Sequence, residues 1–168
     1  VFDRGNKPIE TYNFLKSIPS NNLILIKVNH EDLFTQLLEE TYFDDIDLIN
    51  GTFSTFCKIA NVEPITFTRS YYKNSKLVSN PSLIDAFIKN RWNHVKDLVS
   101  KSEITKFICS EKWVNYFEIN NYIITHGFIP LRHNEYFADW RKNATDEEWE
   151  DARWSIGHKL YKQNKFNK

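Results

Sequence analysis

The stretch that decides the fold is Leu23-Ile24-Leu25-Ile26-Lys27-Val28-Asn29-His30-Glu31-Asp32. Its first half is a short, nearly continuous apolar run, bounded on the N-terminal side by the turn residues Pro19-Ser20-Asn21-Asn22. A run of that length and composition reads as a buried strand of a parallel sheet. The polar residues Asn29–Asp32 interrupt it, and Leu33, Phe34, Leu37 and Leu38 then recur at helical spacing. Upstream, Pro8 sits where a first-turn proline is tolerated, with Asn6 as a cap before it, and Ile9, Tyr12, Leu15 and Ile18 follow with the same period. Helix, strand and helix in succession predict an α/β fold.

Farther along, Asp44 to Val62 reads as helical, with Gly51 as its weak point. Asn80-Pro81 opens the clearest helix, whose Leu83, Ile84, Phe87, Ile88, Trp92, Val95, Leu98 and Val99 form one apolar stripe. Trp113–Glu118 and Tyr122–Thr125 read as two strands around an Asn120-Asn121 turn. Thr145 and Glu148 have capping-box spacing and predict a helix from Asp146 to about Leu160. The acidic run Asp146–Asp151 then lies near its N-terminus, where the helix dipole favours negative charge.

Composition narrows the function classes. The 168 residues carry 22 Lys+Arg and 22 Asp+Glu, and 15% are aromatic, so a folded domain with a sizeable core is expected rather than a disordered chain. Zero net charge gives no support for bulk attraction to nucleic acid or to an anionic membrane, and the lysines after His158 read as a frayed tail. No apolar run approaches the roughly 20 residues of a spanning helix. Cys57 and Cys109 are too few for a disulfide scaffold and read as two thiols in a reducing compartment, with a Cys57–Cys109 bridge as the alternative. The N-terminal residues lack the apolar segment of a signal peptide, so a cytoplasmic, single-domain chain spanning residues 1–168 is expected.

In open α/β sheets ligands bind beyond the carboxyl ends of the strands. Asn29, His30, Glu31 and Asp32 lie just past one strand end and His126 past another; Asp3 and Arg4 precede the first helix. Asp3, Arg4, Asn29, His30 and His126 are therefore expected to converge at one sheet edge. Read separately, a lone histidine after a strand is more often structural, and Asn29 is equally a helix cap.

Taken together, Asp3-Arg4-Gly5, then Val28-Asn29-His30-Glu31, then Tyr122-Ile123-Ile124-Thr125-His126-Gly127 resemble three motifs of the calcineurin-like metallophosphoesterases. The likeness is to their serine/threonine protein phosphatase branch. It implies a sandwich of mixed β-sheets flanked by helices, of which 1–168 would be a truncated part. It implies hydrolysis of phosphate monoesters, either a phosphorylated protein or a small phosphate ester, by hydroxide bound to two divalent cations. Manganese, iron or zinc would suit mixed Asn, His and Asp ligands.

Residue by residue, the resemblance makes Asn29 and His126 metal ligands. His30 becomes the general acid, paired with Asp3. Arg4 becomes a phosphate-binding residue, and Arg153 a second, with Arg141 as its rival. A guanidinium suits phosphate because its donors form a planar fork. The family's first motif, Gly-Asp-x-His, has no counterpart in 1–168, and neither has its last, because Gly157-His158 falls at the end of the Asp146 helix. Val28 stands where the family has glycine and is expected to displace Asn29. A degenerate, non-catalytic binding or structural module is the alternative reading.

Overall fold

In a computed structural model of the chain, residues 2, 5–67, 81–110, 112–156 and 159 are described. Helices dominate, accompanied by two small sheets, which makes the fold broadly α/β. The chain divides into two compact units, Val1–Pro19 with Leu33–Ser110, and Ser20–Asp32 with Glu111–Lys168.

The first unit is helical. It contains α1 (Pro8–Ser17), most of α2 (Asn29–Glu39), α3 (Asp45–Asn50), α4 (Thr52–Ile59), α5 (Pro81–Ser100) and α6 (Glu103–Ile108). Helix α1 starts after Lys7 without a side-chain cap, so Asn6 is not the cap expected of it. The helix expected over Asp44–Val62 is two helices. Asp44 and Asp47 close a capping box at the start of α3, and Gly51, at φ 87°, ends α3 and begins α4. That left-handed turn is one that glycine adopts without strain.

The stripe on α5 supplies the core: Ile84, Ile88, Trp92, Val95 and Val99 are buried, whereas Phe87 and Leu98 face solvent. Trp92 is the hub. Phe56 stacks on it with centroids 5.6 Å apart, and Tyr42, Phe43 and Phe67 meet it edge-on. Its indole nitrogen has no hydrogen-bond partner among the described residues. The buried hydroxyls here bond backbone carbonyls: Thr55 donates to Phe2 O and Thr105 to Val99 O.

The second unit holds both sheets. Strand β1 is only Leu25–Ile26, shorter than the expected Leu23–Val28, with Leu25 buried and Ile24 half exposed. It pairs in parallel with β2 (Trp113–Val114), in the register Leu25 with Trp113 and Ile26 with Val114. The strand expected over Trp113–Glu118 is divided at Asn115. Beyond it, β3 (Tyr116–Ile119) pairs antiparallel with β4 (Tyr122–Thr125) across the expected turn, where Asn120 takes a φ of 53°. Two short helices follow, α7 (Trp140–Asn143) and α8 (Asp146–Trp154). The Thr145–Glu148 capping box forms as the spacing requires, but α8 stops at Trp154 rather than near Leu160. Trp140, Trp149 and Ala152 form a small core, with Tyr116 stacked on Trp149 at 8° between ring planes.

Cys57 is buried and Cys109 exposed, with no disulfide between them. Burial pushes the Cys57 thiol up to about 12, which leaves it an inert core group. No described helix is long and apolar enough to cross a membrane.

Candidate functional site

Asn29–Asp32 are not an interruption between strand and helix; they form the first turn of α2. Glu31, buried, turns back so that its Oε2 accepts from Val28 N–H at 3.2 Å. That is half of a capping box, and Val28, as the residue preceding the helix, cannot supply the other half. Val28 is not among the described residues with positive φ, which outside glycine are Asn61, Asn120, His133 and Asn134. Its backbone therefore has no need of glycine.

From this turn Asn29 reaches His126, at the end of β4. Asn29 Oδ1 and His126 Nε2 are 3.0 Å apart, so the Nε2–H tautomer donates to the amide oxygen. Asn29 makes this contact with Val28 in place. His30 lies on the same turn, half-buried. Burial is the larger cause that holds the His126 imidazole below its ordinary 6.5; the Arg153 charge acts in the same direction, and Asp32 opposes. His126 is thus the neutral partner in the site.

Gly127 explains why the histidine is followed by glycine. Its φ is 73°, and a Cβ built there would lie 2.4 Å from Ala152 O and 2.7 Å from Arg153 O. The backbone passes directly over the last turn of α8, where Phe128 N–H donates to Ala152 O at 2.9 Å. Any larger residue would push His126 away.

Arg153 emerges from that turn. Its Nε and Nη2 bond Asp32 Oδ2 and Oδ1 at 2.5 and 3.0 Å, and Nη1 donates to Asn115 Oδ1 at 3.1 Å. The side chains of Arg153 and Asp32 are only 4% and 7% exposed. Lys27 Nζ lies 3.0 Å from Asp32 Oδ1, so one carboxylate faces two cations. The arginine expected to bind phosphate is therefore enclosed, with its fork on a carboxylate. Its rival Arg141 is exposed, bonded to Glu118 at 2.6 Å and laid over the Trp140 ring.

Asp3 and Arg4 lie outside the described residues, as does Gly157-His158. Of the expected site residues, then, Asn29, His30 and His126 come together and Arg153 lies one helical turn away through Asp32. A cleft of about 380 Å³ on the same unit is lined by other residues, among them Arg132, His133, Glu148 and Asp151. No sequence motif assigns a role to Asp32, Asn115 or Lys27; Asp32 stands 121 positions from Arg153, and no local pattern signals such a pair.

Ligands about 2.1 Å from one ion and at right angles lie about 3 Å apart, which is the Asn29–His126 separation. The same distance is that of the hydrogen bond itself, so the two would fit neighbouring places around a single cation only with the His126 proton moved from Nε2 to Nδ1. They do not make a two-metal centre, and among the described residues no group of three or more His, Cys, Asp or Glu could hold a metal ion. No family model, no curated protein and no solved structure matches the chain.

Proposed function

We propose that the chain carries part of a metal-dependent phosphoesterase of the serine/threonine protein phosphatase type, incomplete or weakly active by itself. The observation that carries the reading is the Asn29–His126 pair, 97 positions apart in sequence and 3.0 Å apart in space. The resemblance made both residues ligands of one centre, and their separation suits neighbouring donors. The parallel β1–β2 pair and the β3–β4 hairpin that deliver them are read as parts of the mixed sheets of a metallophosphoesterase-like sandwich. In this reading Asn29 and His126 hold one cation, His30 on the same turn stands ready to protonate a leaving oxygen, and Asp3 steadies it. The substrate is a phosphorylated protein or a small phosphate ester.

Manganese titration of the chain by calorimetry, beside hydrolysis of a chromogenic phosphate ester, tests this. Weak manganese binding with little turnover is expected, and Asn29→Ala or His126→Ala should each weaken that binding at least tenfold. Binding that neither substitution alters would overturn the reading.

The enclosure of Arg153 favours a second reading, a degenerate module that binds or supports without catalysis. A well-folded chain that takes up neither manganese nor inorganic phosphate would decide for it.

A further inference from the structure

We infer that Arg153, with Asp32, is a positioning pair that sets the Asn29–His126 separation and is not a phosphate ligand. The inference rests on the reading of Asn29 and His126 as functional donors.

Three covalent or bonded paths lead from Arg153 to that pair. Through Asp32 it holds the first turn of α2, on which Asn29 sits three residues earlier, one turn of helix away. Its own carbonyl, with that of Ala152, forms the surface on which Gly127 lies, directly after His126. Through Asn115 it reaches the joint between β2 and β3, and the Asn115 carbonyl accepts from Thr125 Oγ1 at 3.2 Å, directly before His126. Arg153 thus grips the chain on both sides of His126 and at the base of Asn29.

Each of its three nitrogens is also engaged. Two nitrogens of the fork face Asp32, Nη1 faces Asn115, and the side chain is 4% exposed. A phosphate would have to displace a buried carboxylate that a second cation, Lys27, also holds. Removing one member of such a pair leaves an uncompensated buried charge.

The test uses the full chain with Arg153→Lys, Arg153→Ala and Asp32→Asn, and Trp92→Ala as a control for general destabilisation. Three quantities are read well below each melting temperature: the Asn29 side-chain amide and His126 imidazole nitrogen NMR signals, manganese affinity, and inorganic phosphate affinity. The three pair variants should move both NMR signals and weaken manganese at least tenfold. Trp92→Ala should move neither, and Arg153→Lys should leave phosphate affinity within twofold. Arg153→Lys keeps the charge, so it reports even if the other two do not fold. Loss of phosphate affinity in Arg153→Lys with unmoved Asn29 and His126 signals would overturn the inference and restore Arg153 as a substrate residue. So would signals that move no more than in Trp92→Ala. If the parent chain takes no manganese, the phosphoesterase reading fails, while the NMR signals still decide the positioning role.

Discussion

The first unit buries Trp92, Phe56, Phe34 and Ile84 around one long helix; the second buries Arg153, Asp32 and Glu31 beside Trp140 and Trp149. In the first, the described buried polar groups are mostly threonine hydroxyls, with Thr55 and Thr105 satisfied by a carbonyl, and the one buried carboxyl among the described residues, Asp47, caps α3. In the second, the buried groups are ions whose partners must be fixed in direction as well as distance. Apolar packing is non-directional, so it stabilises without specifying where any one atom lies. A forked ion pair adds little net stability but holds atoms in one arrangement. The contrast teaches why the residues with chemistry gather in the unit with the smaller core.

The sharpest way to break this contrast is Trp92→Ala. It should destabilise the first unit by about 3–5 kcal/mol, read by urea unfolding, because the site is fully buried and ringed by aromatics that cannot collapse into the gap. A loss below about 1 kcal/mol would show that the aromatic hub is not what holds that unit. Next in size is Gly127→Ala, at about 2 kcal/mol or more, since the new methyl meets backbone at a left-handed residue. It should also shift the His126 imidazole signals; unchanged signals would mean that α8 does not seat the histidine.

Val28→Gly should change stability by less than about 1 kcal/mol. Apolar burial is lost, but glycine is the better residue at a helix N-cap. Manganese affinity should stay unchanged, because Asn29 already reaches His126 with valine in place. A tenfold gain would show that valine does hold the amide off its place.

The smallest effect concerns pH. Burial and the neighbouring positive charges lower the His126 imidazole from 6.5 in the folded chain, so as pH falls below 6.5 the unfolded chain takes up the proton first. Stability should therefore decline from that point downward until the folded imidazole also titrates. His126→Gln should flatten that part of the profile, measured as melting temperature against pH; an equal decline in both would exclude His126 as its source.

Local patterns in the sequence mark out the parts of the molecule that local forces decide. The period of Ile84, Ile88, Trp92, Val95 and Val99 places the core helix, Asn120-Asn121 places the hairpin, and Thr145 with Glu148 starts α8. The expectation that residues past strand ends converge places Asn29 near His126, as their 3.0 Å contact has it. Illegible were the features settled over long range. Leu23–Val28 has the composition of a six-residue strand, yet it pairs over two residues, opposite Trp113 and Val114. The apolar period makes Phe87 and Leu98 core residues, but no neighbour covers either of them fully. Arg153 is a free phosphate fork in sequence, and only the fold supplies the carboxylate that closes it.

The second unit is discontinuous, with Leu33–Ser110 inserted between its pieces. On the ribosome this separates the site's halves in time. Chains grow at about 5–20 residues per second, so Asn29 is made roughly 5–20 s before His126, its partner 97 positions later. Asp32 waits longer still, for Arg153 at 121 positions. Over that interval the α-helical insert can fold on contacts that are close in sequence, and such contacts form fast. The β1–β2 pairing and the ion pair must come afterwards. A nascent chain arrested before Arg153 therefore carries Asn29 and His126 without the clamp that relates them, and the site is completed only after the helical insert that separates its halves.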